Sequence, residues 1–256
     1  MFCERAQITL NQKIGTDIWQ LRLQVPQIAA AAGAGQFVML QCGTGLDPFL
    51  KRPLGIHEIT APYGFITCVY RVVGRGTGLL SELPVGSDIT VLGPCGRPWP
   101  QITAPKAVII GGGMGIAPLL PLAKDLYARC NPQIYLGANT ADELFALVEF
   151  AKCGNLRVAT LDGSAGVKGF VTDLLPADLS GTEIFACGPM PMMKAVAELA
   201  SQQNITCWIS LEEHMGCGIG TCMGCVRPIK ENDSIVYKRV CREGPVFNAM
   251  EVVFDD

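Results

Sequence analysis

The stretch Leu211–Pro228, LEEHMGCGIGTCMGCVRP, constrains this chain more than any other: Cys217, Cys222 and Cys225 are separated by four and then two residues, and Gly216, Gly218, Gly220 and Gly224 fill most of the gaps. With Cys241 as the natural fourth ligand, the spacing matches the plant-type iron–sulfur pattern. A [2Fe–2S] cluster needs four thiolates on one small dianionic object, so three neighbouring residues must curl around it with backbone N–H groups turned toward the sulfides. Glycine permits the curl, because it tolerates φ > 0 and lets backbone approach a bulky group closely. A four-cysteine zinc site is the alternative, although such sites usually show two separated short cysteine pairs, each closing one knuckle. A mixed His/Cys cluster would need two histidines. His57 lies far from His214 in sequence, so His214 reads as a surface group or an outer neighbour of the cluster.

The other cysteines bear on compartment. Eight of the twelve fall outside the cluster ligands, mostly inside apolar strings such as Ile66–Val69 and Ile184–Cys187. The start, MFCERAQITL, has no basic region followed by an apolar core, so the chain reads as cytoplasmic, with these cysteines as small buried hydrophobes. A net charge of −3 and the lack of any basic run of five residues argue against a nucleic-acid surface. The longest apolar stretch, Ala107–Ala123, holds four glycines and two prolines and does not read as a membrane span. At 256 residues and 49% apolar content, there is room for two modest domains and a small appendage.

From Glu4 to about Pro94 the sequence predicts short strands, including Trp19–Val25, Gln36–Gln41, Phe65–Val73 and Ser87–Leu92, bounded by Gly, Pro or Asp. Strands at this spacing make an antiparallel barrel or sandwich. Two places in it look chemical. Lys51-Arg52-Pro53-Leu54-Gly55 follows the loop Gly43–Pro48, and an arginine beside a φ-fixed proline can present its fork to a phosphate. Gly74-Arg75-Gly76-Thr77 leads into a helical run Gly78–Leu83, with Thr77 as N-cap, and a glycine-rich helix entry suits an anion. Either alone could be an ordinary surface arginine or capped turn. In this order, with Val69-Tyr70-Arg71 between them and Gly93-Pro94-Cys95-Gly96 after, they resemble the flavin domain of the ferredoxin reductase superfamily. That resemblance implies Arg52 and Thr77 on the FAD pyrophosphate, Gly76 in the same turn, and Pro53, Leu54, Gly55, Val69, Tyr70 and Arg71 lining the flavin. Relatives usually carry Ser or Thr at the position of Gly55.

After Pro105 the pattern changes. Ala107–Ile110 is a short apolar strand, Gly111-Gly112-Gly113-Met114-Gly115-Ile116-Ala117-Pro118 opens a helix running to about Arg129, and Gln133–Leu136 is another buried strand. Strand, glycine turn and helix in alternation begin a doubly wound parallel sheet, and the turn lets a nucleotide lie against backbone. As a dinucleotide fingerprint it is imperfect, with Pro118 where a third glycine would stand. Leu156–Leu161, a helical stretch near Val171–Leu175, a last strand Glu183–Ala186, the turn Cys187-Gly188-Pro189-Met190 and a helix Pro191–Gln203 complete the domain. The superfamily resemblance implies Gly113 and Met114 in the NAD-binding turn and Cys187 and Gly188 beside the nicotinamide; without it, Cys187 reads equally well as a buried filler. Asn139–Glu143 contains no arginine or lysine for a 2′-phosphate, and Asp142 and Glu143 would repel one, which tilts the choice toward NAD.

The expected fold is therefore α+β and multi-domain: a β-barrel FAD domain over 1–100, a doubly wound α/β NAD domain over 101–208 and a [2Fe–2S] domain over 209–256. RPLGI, GRGTGLLSELPVG, GGGMGIAPLLPLA, LDGSAGVKGFVTDLL, CGPMPMM, the cluster stretch and the ending RVCREGPVFNAMEV together resemble the electron-transfer subunit of bacterial class 1B dihydroorotate dehydrogenase. Membership implies one FAD and one [2Fe–2S] cluster held by Cys217, Cys222, Cys225 and Cys241. It also implies an FMN-containing catalytic partner in a heterotetramer of two plus two, and electron delivery to NAD⁺ in pyrimidine biosynthesis. No Ser–His–Asp set, HExxH motif or P-loop suggests further chemistry. The alternatives are the small subunit of an NAD(P)H-dependent ferredoxin oxidoreductase or sulfhydrogenase, and a zinc-stabilised nucleotide-binding protein without redox function.

Overall fold

The computed structural model describes residues 1–43, 47–232 and 234–254; of the loop expected over Gly43–Pro48, residues 44–46 lie outside the described residues. Six strands, β1 (Phe2–Gly15), β2 (Ile18–Gln24), β3 (Phe37–Leu40), β4 (Arg52–Thr60), β5 (Phe65–Arg71) and β6 (Asp88–Cys95), close an antiparallel barrel in the order β1-β2-β5-β4-β3-β6. Alternation sets the faces. Ile66, Cys68 and Tyr70 of β5 enter the barrel core with Leu54 and Ile56 of β4, whereas Val69 joins a second core shared with the following domain. Helix α1 (Pro26–Ala31) closes one end, burying Ile28 and Ala29, while the Glu4 carboxylate accepts hydrogen bonds from the N–H groups of Gln27 and Ile28.

Helix α2 spans Arg75–Glu82, so Thr77 is not the N-cap that the sequence suggests. Gly74, with extended backbone, takes that position, and the Thr77 hydroxyl at the third helical residue reaches back to accept from the N–H groups of Val73 (3.0 Å) and Gly74 (3.3 Å). The hydroxyl still satisfies amides at the helix entrance, from one turn further in.

The second domain contains β7 (Lys106–Gly112), α3 (Leu120–Cys130), β8 (Gln133–Ala138), α4 (Leu147–Ala151), β9 (Asn155–Thr160), β10 (Val167–Lys168), β11 (Thr182–Cys187), α5 (Met190–Gln202) and β12 (Cys207–Ser210). The glycine turn does not run straight into an α-helix. A 3₁₀ segment, Gly113–Leu119, comes first, in keeping with Pro118, which has no N–H for an α-helical ladder. Beyond the cysteine stretch come β13 (Val226–Glu231), β14 (Ser234–Arg239) and β15 (Val246–Asn248).

The sheet order is β10-β9-β8-β7-β11-β12-β15, parallel except for β15, which runs antiparallel to β12. Two strands thus follow β11, the last strand expected from sequence. Cys207–Ser210 is too short to show a period, and β15 returns from beyond the cysteines. Residues 246–248 of the expected third domain accordingly lie in the sheet of the second. The chain reverses its direction of travel across the sheet between β7 and β11, and open α/β sheets bind ligands at such a switch point, outside the carboxyl ends of the strands. Among the described residues no helix is long and apolar enough to cross a membrane.

Candidate functional site

A cavity of about 320 Å³ opens where the barrel meets the switch point. From the barrel, Arg52, Pro53, Leu54, Gly55, Val69, Tyr70, Arg71 and Thr77 line it; Met114, Ala117, Pro118 and Cys187 come from the nucleotide domain. Of the residues singled out by sequence, Gly76, Gly113 and Gly188 are not in the wall. Gly76 lies directly behind it: an ideal Cβ there would stand 2.5 Å from Arg52 Nε, so any side chain would dislodge the guanidinium. Arg52 is held on its other side by the Leu50 carbonyl, to which Nη1 donates at 2.5 Å. The glycine turn and the Cys187-Gly188 turn touch through Gly115, where a Cβ would collide with the Cys187 carbonyl and the Gly188 nitrogen. Gly55 faces Pro118, whose Cβ would be 3.3 Å from an added methyl.

Arg71 leaves the barrel to form an ion pair with Glu143 (3.1 Å), and the other oxygen of Glu143 accepts from the Asn139 backbone (3.1 Å) and side chain (2.9 Å). The neighbourhood of Asn139–Glu143 is therefore not free of arginine in space. Glu143 is engaged rather than turned toward an incoming phosphate, and the argument for NAD drawn from that carboxylate loses its footing.

Sequence reasoning missed the far wall, Ser210, Leu211, Glu212, Glu213 and Met215, at the carboxyl end of β12. Recognising Cys207–Ser210 as a strand would have pointed there. Glu212 is exposed at the cavity, and the protein crowded around its carboxyl displaces enough water to raise its pKa. Burial likewise pushes the Cys187 thiol well up, with Glu212 adding to the effect. It is a neutral, buried group.

Five residues past Glu212 the chain reaches Cys217. The backbone N–H of Cys222 donates to the Cys217 sulfur at 3.4 Å and that of Cys241 to the Cys225 sulfur at 3.4 Å, so the four cysteines stand as two neighbouring pairs. Among the described residues no three potential ligands converge on the position of one metal ion. Partial burial disfavours the Cys217 thiolate, but the N–H groups of Ile219, Cys222 and Thr221 outweigh it and bring the pKa down to about 6. Cys241 shows the reverse: burial, then its neighbour Cys225, raises it to about 12. In this four-cysteine cradle the amides around Cys217 suit a cluster whose ligands must all be thiolates, whereas Cys241 is held neutral and would give up its proton on binding metal. Gly218 and Gly220 have φ of +69° and +82°, and the place of a Gly218 side chain is filled by Met39. Met39 shares a face of β3 with Phe37, which lines the cavity, so one short strand touches both cavity and cradle. His214 is exposed, and His57 is buried between barrel and nucleotide domain.

Residues 212–253 match the model of the iron–sulfur cluster binding domain of dihydroorotate dehydrogenase B, and residues 109–198 match the oxidoreductase NAD-binding domain. The dihydroorotate dehydrogenase B (NAD(+)) electron transfer subunit of Fusobacterium nucleatum is 37% identical over 98% of this chain and 99% of its own length. Its counterpart from Geobacillus sp. strain WCH70 is 40% identical over 98% of both. The chain belongs to this family. A chain of the NADH-dependent reduced ferredoxin-NADP oxidoreductase, described in connection with flavin-based electron bifurcation, superposes with a TM-score of 0.87 at 32% identity, covering 97% of this chain and 90% of that one. The family's iron–sulfur match begins at Glu212, in the cavity wall, and runs past β15. It therefore takes in the connector from cavity to cradle as well as all four cysteines.

Proposed function

We propose that this chain is the electron-transfer subunit of an NAD-dependent dihydroorotate dehydrogenase, an oxidoreductase component of pyrimidine biosynthesis. It takes electrons from the FMN of a catalytic partner subunit and passes them through a [2Fe–2S] cluster and FAD to NAD⁺. One observation carries the reading: in a chain of this family, the four-cysteine cradle and the cavity at the switch point share strand β3 and are joined by the connector after β12. When bound, FAD exchanges hydride with a nicotinamide and single electrons with an iron–sulfur centre.

On this reading Arg52, Gly76 and Thr77 hold the pyrophosphate, and Pro53, Leu54, Gly55, Val69, Tyr70 and Arg71 position the flavin. The Gly113–Met114 and Cys187–Gly188 turns admit the nicotinamide, with Gly115 keeping the two turns in contact. Cys217, Cys222, Cys225 and Cys241 ligate the cluster. The three functional units follow the chain as 1–100, 101–208 and 209–256, the last lending β15 to the sheet. The exposed edge of the cluster loop, Ile219, Cys222 and Met223, is the side from which a partner can approach to electron-transfer distance, in an assembly of two plus two subunits. None of the twelve cysteines is in a disulfide, which suits a reducing cytoplasm.

The test is native purification with partner, flavin and metal analysis. Protein that carries FAD and iron, bleaches with NADH and accompanies a dihydroorotate-oxidising FMN subunit meets the expectation; colourless protein containing zinc would overturn it. Cys222→Ser should abolish cluster assembly and dihydroorotate-to-NAD⁺ electron flow while FAD remains bound, because a hydroxyl is a poor iron ligand. The structural likeness to the ferredoxin-NADP oxidoreductase chain favours a second reading, the small subunit of such an enzyme. Purification with a ferredoxin-reducing partner and no dihydroorotate-oxidising one would establish it instead.

A further inference from the structure

The four cysteines come from two pieces of chain, the loop 217–225 and the turn after β14 that carries Cys241, and a cluster forms only where those pieces are held at a fixed separation. Arg239 spans them with every nitrogen of its side chain. Nη1 donates to the Gly220 carbonyl at 2.5 Å, Nη2 to Glu243 Oε1 at 2.5 Å and Nε to Glu243 Oε2 at 3.0 Å, while its backbone N–H donates to Glu243 Oε2 at 2.8 Å. Gly220 lies between Cys217 and Cys222 on the loop; Glu243 stands two residues past Cys241. The next side chain contributes as well, since the stem of Arg242 covers Gly220 where a Cβ would sit. The backbone of the turn closes on the same residue, with the N–H groups of Arg242 and Glu243 both donating to the Arg239 carbonyl.

Resting on the cluster reading given above, we propose that Arg239 is the positioning residue of the cradle. It fixes the three-cysteine loop against Cys241 before iron is inserted, and its charge favours the reduced cluster. A guanidinium suits this task because two donors of its planar fork take a carboxylate while a third is left for the carbonyl; an ammonium has no such fixed fork. The electrostatic half follows from location. Arg239 sits opposite Val226 in the β13–β14 ladder, next to Cys225, whose carbonyl accepts from the Val240 N–H at 2.9 Å, and it stands two residues before Cys241. Reduction adds a negative charge to an already anionic centre, so a nearby cation raises the reduction potential and its removal lowers it.

Glu243 supplies the opposite sign on the same scaffold, and a merely structural ion pair would not produce the pattern that follows. In the full-length protein with cluster and flavin bound, Arg239→Gln should shift the cluster midpoint, read by paramagnetic resonance during an anaerobic redox titration, to more negative values. It should also speed iron loss to a chelator several-fold. Arg239→Lys keeps the charge and loses the fork, so the midpoint should stay near wild type while iron loss still quickens. Glu243→Gln removes the negative partner and should shift the midpoint upward. In metal-free protein, both Arg239 variants should increase amide exchange over 216–225. Unchanged midpoints and unchanged iron loss in variants that bind the cluster would overturn the role of Arg239 and leave the cluster reading intact. Wild-type protein with no paramagnetic signal after reduction would instead overturn the cluster reading. Should Arg239→Gln not accumulate as folded protein, Arg239→Lys and Glu243→Gln carry the test.

Discussion

At the scale of single residues, the site depends on places where a side chain is missing as much as on those where one is present. Gly115 is the sharpest case, because the atoms that an added methyl would strike belong to the backbone of the Cys187-Gly188 turn and cannot rotate away. Gly115→Ala should therefore cost about 1–3 kcal/mol of stability through overpacking. It should also slow flavin reduction by NADH more than it alters flavin content; a variant with wild-type melting and wild-type NADH reduction would show that the two turns need not touch. Arg52 tests the opposite wall. Its guanidinium is oriented by the Leu50 carbonyl and the flat backbone of Gly76. Arg52→Ala should release FAD on gel filtration while iron content stays at wild-type level, and full flavin occupancy would remove Arg52 from the site.

At the scale of elements, the loop after β8 shows what a linear reading could and could not extract. The acidic pair Asp142-Glu143 is visible in sequence, but Arg71 is 72 positions away from Glu143 and approaches it only because β5 ends at the domain boundary. Glu143 consequently joins Arg71 of the cavity wall to Asn139, just past β8. Glu143→Gln should loosen that tie by about 1–2 kcal/mol and lower kcat/KM for NADH roughly 10-fold, leaving electron transfer between cluster and partner unaffected. Stopped-flow reduction with NADH beside dihydroorotate-driven reduction separates the two, and an equal loss in both would point to general damage. The same logic explains β12. Four residues ending in Ser210 carry too little pattern to announce a strand, yet that strand delivers Glu212 to the cavity and the chain onward to Cys217. The barrel strands, the glycine turn and the cysteine spacing were legible because local chemistry dictates each of them. Helix α2 was legible except for its start, which depends on Gly74 adopting extended backbone.

Across the whole molecule, the barrel and the nucleotide domain are pinned together by Lys124–Glu58, Arg71–Glu143 and a hydrogen bond of 2.8 Å between His57 Nδ1 and the Ala117 carbonyl in the glycine-rich turn. His57 is 4% exposed and meets Phe145 edge-on with ring centroids 5.9 Å apart. Burial lowers its pKa below the ordinary 6.5, outweighing the Ala117 carbonyl and the nearby Glu58 and Glu149, which favour the proton, while Lys124 also disfavours it. Below pH 6.5 the unfolded chain thus binds a proton that the folded protein declines. The stability attached to His57 is whole above that pH and lost as pH falls from it toward the lower folded value, at up to about 1.4 kcal/mol per pH unit. His57→Leu should be less stable than wild type at neutral pH, having lost the bond to Ala117, but its melting temperature should fall less steeply between about pH 6.5 and pH 5. Parallel melting curves for the two proteins across that window would mean that His57 takes up its proton equally in both states, and that some other group makes the barrel–nucleotide contact sensitive to acid.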